Sequence, residues 1–587
     1  MSVEAAQNGF LAGARSLSRL LPYFRPYRAN IVWGVLATLG TVGVSLCGPQ
    51  LLRFAIDDLK SAITPRKLAF YAALVLAIAA IEGILRFLMR RILIGVSRDV
   101  EYDLRNSLFQ KLLRLPRRFY DAHPTGDIMN RCSSDVNSVR LLLGPGVMYS
   151  INTVAMFALA LAIMFRIDVR LTLLALAPLP ISTIVVYFFA RRIHSHYLRV
   201  QEYFSEVSVF LQETFSGIRL LRAYDCGDSR QAQFDRMMGR YVDMNRGLIT
   251  TWGMFYPIMG ALGGLGGVVV LLYGGSEVIA GRITLGSFVA FSIYLMMLVW
   301  PMSSAGWVLN LIQRGAVSQQ RLNHIFDAPE LDQSPAGPAG GAVEVELRRL
   351  SFAYPGERSD ALRSVSFRIP AGSTVGIIGK VGCGKSTLAA LLARVYDPPD
   401  GTVMVGGRDV NMIPLRELRQ IVSLVPQDPF LFSETIAQNI RMGSESADLP
   451  SLLSTAGMDA DIRLFPQGAE TVVGERGIML SGGQKQRVTI ARALARQAPI
   501  IVFDDALSSV DVETEEEIMK KISELPGRHT LIIISHRISS IRRADAIVVM
   551  RDGEIAEMGS HEELMAAEGL YASMVQREEI EAELATM

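Results

Sequence analysis

Cysteine is scarce in this 587-residue chain, and the four present, Cys47, Cys132, Cys226 and Cys383, lie far apart. Such spacing offers neither a disulfide framework nor a set of metal ligands, so free thiols are expected. An excess of either charge is missing too. The 59 basic residues are nearly matched by 57 acidic ones, and a net charge of +2 gives no electrostatic case for nucleic acid as a partner. Met1 to Gly13 lacks a basic start followed by an apolar run and a small-residue cleavage site, so no cleavable signal is expected. Charged residues make up 20% of the chain against 50% hydrophobic, and the mean hydropathy is positive. The chain is thus too long for one domain and too apolar for an ordinary soluble one. A membrane portion is predicted.

Six apolar segments are long enough to cross a hydrocarbon core: Ile31 to Leu51, Leu68 to Leu88, Val147 to Phe165, Leu171 to Phe189, Gly253 to Tyr273 and Leu285 to Leu311. Arg15, Arg19, Arg25 and Arg28 precede the first, and the stretches from Arg90 to Arg140 and from Arg191 to Arg246 are rich in arginine. Placing these inside puts both termini in the cytoplasm. The connections near Asp57, Asp168 and Glu277 then face outward and are short. The inner connections have helical periodicity, so the spanning helices are expected to continue well past the bilayer. Gly260, Gly263, Gly264 and Gly267 permit close helix approach. Glu82 and Arg86, four apart, either pair along one helix or meet cargo. Trp300, Pro301, Ser303, Ser304, Trp307 and Asn310 form an amphipathic face for which packing and polar lining both remain open.

Beyond a Pro/Gly/Ala-containing connection, strands and helices alternate from Val343 onward. The organisation predicted is a membrane domain over residues 1–313, a linker over 314–342 and a second domain over 343–587. Within the last, Gly379-Lys380-Val381-Gly382-Cys383-Gly384-Lys385-Ser386-Thr387 fits the phosphate-cradle pattern G-x-x-x-x-G-K-[ST]. Gly379, Gly382 and Gly384 let backbone N–H groups converge, Lys385 supplies a cation for the β/γ-phosphates, and the Ser386 hydroxyl is placed to ligate Mg²⁺. Cys383 within the cradle is accounted for by its small size. A strand from Ser373 to Ile378 leads in, and a helix from Leu388 to Val395 leads out with its positive end toward the phosphates. Ile500 to Asp504 is a buried-strand pattern ending in a carboxylate, the placement needed to hold a Mg²⁺ shell beside such a cradle.

Leu480-Ser481-Gly482-Gly483-Gln484 resembles the signature motif of ATP-binding cassette (ABC) proteins. By the same resemblance Tyr354 is similar to the aromatic that stacks on adenine, Gln427 to the switch-loop glutamine that also reaches the metal, Asp511 to the D-loop aspartate, and His536 to the histidine contacting the γ-phosphate. Phe119-Tyr120-Asp121 with Thr125-Gly126-Asp127 and Asp135-Val136, and Glu213 to Arg219, resemble the two coupling regions of ABC exporters. Thr471 to Gly477, TVVGERG, is similar to the exporter segment that touches them. The resemblance implies an all-α six-helix transmembrane domain followed by an α/β P-loop ATPase domain of ABC type, using ATP and Mg²⁺.

It also implies a half-transporter that works as a dimer in a bacterial cytoplasmic membrane. Each ATP would lie between one chain's cradle and the other's Ser481 to Gln484. The expected activity is ATP-driven export of a hydrophobic or amphipathic drug, lipid or peptide; a membrane regulator or channel is the rival reading. Where the family has Glu directly after the Mg²⁺ aspartate, as general base, this chain has Asp505. A shorter carboxylate misplaced by about 1 Å costs on the order of a hundredfold in rate. The expectation is therefore a slow ATP site on this chain and a different partner carrying Glu, with a homodimer as the alternative.

Overall fold

A computed structural model of the protein describes residues 17–59, 64–331, 334, 343–357, 359–474, 478–525 and 529–586. Arg15, residues 332–333 and 335–342 of the predicted linker, residues 475–477 of TVVGERG and the side chain of Ser303 lie outside the described residues. The chain divides into two compact units, one formed by Met1–Gln110 with Ile128–Asp327, the other by Lys111–Asp127 with Ala328–Met587.

The first unit is helical. Its helices far exceed a bilayer crossing: Pro65–Leu113 has 49 residues, which at 1.5 Å per residue is about 70 Å, against roughly 30 Å of hydrocarbon. Five helical stretches among the described residues are long and apolar enough to span: Leu21–Leu59, Pro65–Leu113, Thr125–Ile167, Gly227–Ile279 and Leu285–Asp327. The predicted Leu171 to Phe189 segment is shared between Val169–Leu176 and Leu179–Ser216. Pro178 has no backbone N–H to donate, which interrupts the helix hydrogen bonding there although Ala177 and Pro178 both keep right-handed helical dihedrals. The Asp168 side chain caps the shorter piece by accepting the Leu171 N–H at 2.6 Å.

Val42, Leu46, Met164, Leu171, Phe291 and Tyr294 are among the residues of the unit's core. Tyr294 is fully buried and donates its hydroxyl to the Leu46 carbonyl at 2.7 Å, so the one polar atom of that ring is satisfied. The helix Leu285–Asp327 runs unbroken through position 314, where the sequence suggested a linker, because Ser318, Leu322 and Ile325 continue its buried face. Buried Asp135 is held by Arg321, whose Nε donates at 2.8 Å, and by the Ser318 hydroxyl at 2.9 Å.

In the second unit a six-stranded sheet carries the strands Glu554–Gly559, Ala546–Arg551, Thr374–Gly379, Thr530–Ile534, Ile500–Asp504 and Val422–Val425, side by side in that order. All but the first edge strand pair in parallel. Their near-continuous Ile/Val/Leu content is that of strands buried on both faces. A second, antiparallel sheet contains Val345–Phe352 and Leu362–Ile369. Parallel alignment has a functional consequence. The C-terminal ends of four neighbouring strands, followed by the cradle, Ser535, Asp505 and Pro426, emerge along one edge, the usual ligand edge of an open α/β sheet.

Candidate nucleotide site

The cradle leaves the strand Thr374–Gly379 and enters the helix Lys385–Leu392. Gly384 caps that helix with φ +98, and a Cβ there would lie 2.5 Å from the Ala361 carbonyl oxygen, so only glycine fits both the turn and the space. Lys385 curls back over the loop, its Nζ donating to the carbonyls of Gly379 at 2.7 Å and Lys380 at 3.0 Å. The ammonium is thereby held over the mouth of the loop rather than extended into solvent. Tyr354 is fixed by its hydroxyl, 3.0 Å from Thr387 Oγ1, and by edge-on packing against Tyr396 with ring centres 5.2 Å apart.

Two strands away, Asp504 ends its strand 8% exposed and accepts the Ser386 hydroxyl at 2.9 Å. Burial pushes the Asp504 carboxyl above the usual range, and the Asp505 charge adds to this against the Ser386 hydrogen bond and Lys385. A buried carboxylate so placed is only partly compensated, by the Ser386 hydroxyl and the Lys385 charge. Ser386 and Asp504 are hard oxygen donors that fit Mg²⁺, while Gln427, the third expected ligand, contacts the neighbouring Asp505 through its Nε2. Among the described residues no group of three His, Cys, Asp or Glu side chains offers a metal cage. This sparse protein donor set is what Mg²⁺ uses when phosphates and water complete its shell.

Asp505 is the hub of the edge. It adopts φ +51, in the left-handed region that non-glycine residues seldom visit, with its N–H bonded to the Ile534 carbonyl at 2.8 Å. One carboxylate oxygen lies 2.7 Å from His536 Nδ1 and the other accepts Gln427 Nε2 at 3.3 Å. Gln427, Asp505 and His536, singled out on separate stretches of sequence, are brought together.

Ser481 to Gln484 form a different feature. Ser481 caps the helix Gly482–Leu494 in a reciprocal capping box with Gln484, each side chain accepting the other's backbone N–H. The result is a helix start, exposed at Ser481 and Gly482, with a positive dipole end. Among the described residues, no hydrogen bond or ion pair joins Ser481 to Gln484 with Lys385, Ser386, Thr387, Asp504 or Asp505. Asp511 serves as an N-cap, accepting the Thr514 N–H at 2.9 Å, and that backbone hydrogen bond lowers its pKa.

Sequence reasoning passed over Gln486, Arg487 and Tyr396. Gln486 donates to the Ser508 hydroxyl at 3.2 Å and accepts the Ser509 N–H at 3.0 Å, tying the signature helix to the loop after Asp505. Arg487 pairs with Asp461 at 2.9 Å. Both lie within three residues of the LSGGQ segment, and that proximity was the available signal; their burial is visible only in the structure. Tyr396 donates to Asp121 at 2.7 Å, joining the first coupling segment to the aromatic cluster around Tyr354. Nothing local in the sequence marks that contact, since the partners are 275 positions apart.

A membrane-spanning helical unit fused to an α/β unit with a phosphate cradle, a buried metal-side carboxylate and a capped signature helix defines an ATP-driven membrane transporter. Residues 31–302 match the family described as ABC transporter transmembrane region, and residues 362–508 match the family described as ABC transporter. The chain is 34% identical over 571 residues to the probable multidrug resistance ABC transporter ATP-binding/permease protein YheI of Bacillus subtilis, covering 96% of this chain and 98% of that one. It is 31% identical to the ATP-dependent lipid A-core flippase of Syntrophus aciditrophicus, over 95% of this chain and 94% of that one. Among solved structures, a bacterial Atm1-family ABC exporter with ATP bound is similar, with a TM-score of 0.78 and 26% identity over 94% of this chain and 98% of that one. The chain belongs to the ABC transporter family as a single-chain half-transporter, a multi-pass membrane protein that hydrolyses ATP.

Proposed function

We propose that this chain is one half of a dimeric exporter of hydrophobic or amphipathic cargo in a bacterial cytoplasmic membrane, with both termini cytoplasmic and a different half-transporter as its partner. Likeness to relatives named for multidrug resistance and lipid A-core flipping supports the cargo class. In this reading Tyr354 stacks on adenine, the amides of Gly379, Gly382 and Gly384 with Lys385 and Thr387 hold the phosphates, and Ser386, Gln427 and Asp504 hold Mg²⁺. The metal, when bound, neutralises charge on the phosphate oxygens. Ser481, Gly482, Gly483 and Gln484 clamp the nucleotide carried by the partner's cradle, which gives an exposed helix start a purpose.

The asymmetric pairing is carried by one observation: at the general-base position stands Asp505, whose short carboxylate is engaged by both His536 and Gln427. A carboxylate one CH₂ short and bonded on both oxygens is poorly placed to take a proton from an attacking water. His536 and Gln427 then orient a slow site, and fast turnover belongs to the partner's cradle facing this chain's signature.

ATP turnover of the purified chain alone, and with the half-transporter encoded beside it, tests the proposal. The chain alone is expected to turn over slowly, with at least a tenfold gain on adding the partner. Fast turnover by the chain alone, lost in Asp505→Asn, would instead identify a homodimer with a working Asp505.

A further inference from the structure

The helix Pro65–Leu113 carries Arg86, Arg90, Arg91 and Arg98 within about 140° of arc and about 18 Å of rise. Arg86 pairs with Glu82 one turn away, and Arg98 pairs with Glu101. Arg90 and Arg91 are exposed and have no ion-pair or hydrogen-bond partner among the described residues. They stand just past the apolar stretch Leu68 to Leu88, a depth at which arginine side chains ordinarily reach toward interfacial water. That accounts for Arg91 but not for Arg90. Arg90 also lines a cavity of about 400 Å³ within the helical unit, together with Glu82, Arg86, Asn152, Trp300 and four methionines. An adjoining groove of about 570 Å³ is lined by all four arginines.

The cavity lining therefore carries two guanidinium groups against one carboxylate, and of the groove's four arginines only Arg86 and Arg98 have an acidic partner among the described residues. Glu82 is already engaged by Arg86, so the Arg90 charge is left for a ligand. An uncompensated arginine in a cavity at the edge of an apolar span marks a functional site. Its planar fork matches phosphate and carboxylate oxygens in pairs. Methionine supplies a polarisable surface that adapts to differing apolar shapes, and Trp300 offers a flat one.

We propose that this cavity and groove form a binding site for the anionic headgroup, phosphate or carboxylate, of an amphipathic molecule whose apolar body lies against the methionines and Trp300. Calling that molecule cargo rests on the exporter reading above; the binding itself does not. The anion comes either from a membrane lipid or from a soluble amphiphile.

Binding of dodecyl phosphate and of dodecyltrimethylammonium to the full-length protein in phosphatidylcholine nanodiscs tests the site. The expected result is about tenfold tighter binding of the phosphate, with the preference abolished in Arg90→Gln/Arg91→Gln. Azido-ATP labelling of the same variant should be unchanged, attesting an intact cassette. Equal binding of the two amphiphiles by the wild type overturns the proposal, as does a preference that survives the double substitution. Where the preference is found, its source is read by doping the discs with phosphatidylglycerol: displacement of dodecyl phosphate assigns the site to a leaflet lipid, and no displacement assigns it to a soluble amphiphile. Failure of ATP-dependent solute accumulation in vesicles sinks the exporter reading and leaves this site standing.

Discussion

Gly384 and Lys385 place opposite kinds of demand on the cradle, one steric and one electrostatic. At Gly384 a methyl group would meet both a carbonyl oxygen at 2.5 Å and Leu362 at 2.7 Å while the backbone holds φ +98. The left-handed conformation alone costs a non-glycine residue roughly 1–2 kcal/mol, so Gly384→Ala is expected to deform the loop and weaken azido-ATP labelling at least tenfold. Lys385→Ala removes a half-buried charge, two hydrogen bonds to loop carbonyls and one to the Cys383 sulfur, but leaves the backbone geometry alone. It should lose labelling to a similar extent while the melting temperature falls by less than in Gly384→Ala, because it opens no clash and forces no backbone change. The cradle was legible in the sequence for this reason: each residue type there is forced by local backbone geometry or by a phosphate. The partners of Asp505 were a harder case. Gln427 is 78 positions away and His536 31, and no local rule joins them; only family resemblance put them on one site.

At the scale of elements, hydropathy located the spanning segments but not where helices stop. The Leu171 to Phe189 run reads as one span because proline is apolar, yet Pro178 interrupts the backbone hydrogen bonding. The helix Leu285–Asp327 outlasts its apolar stretch because packing takes over from composition near its end. Asp135 shows what that packing contains. Its carboxylate is 3% exposed, while Arg321, its partner, is 46% exposed, so the pair is a buried anion held by a half-solvated cation. Removing the cation strands the anion, whereas removing both charges does not. Arg321→Ala is therefore expected to lower stability by about 1–3 kcal/mol, discounted from the fully buried case for the solvent around the guanidinium, and Asp135→Asn/Arg321→Ala should recover part of that loss. Thermal melts of the two variants in detergent decide it. A double variant less stable than the single would mean that Asp135 owes its stability to Ser318 and the backbone instead.

For the whole molecule, the separation between the cradle and the signature helix within one chain sets the logic of assembly. Ser481 and Gln484 spend their N–H groups on each other in the capping box, and among the described residues no hydrogen bond ties the Ser481 to Gln484 segment to the cradle of the same chain. If each nucleotide is shared between two chains, and only the partner's cradle turns over quickly, then damage to this chain has opposite consequences at its two surfaces. Ser481→Ala should disable the productive site even though that site's cradle belongs to the other polypeptide. Loss of a preorganised donor aimed at developing charge typically costs about a hundredfold, whereas loss of the helix cap alone costs about 1 kcal/mol of stability. Lys385→Ala in this chain strikes only the slow site and should leave turnover of the mixed complex within about threefold, since that site contributes little to the total. Steady-state ATP hydrolysis of the two mixed complexes, each checked for intact pairing by size-exclusion chromatography, separates the cases. A symmetric assembly with two working sites would lower turnover comparably for both substitutions, because each would then damage both sites.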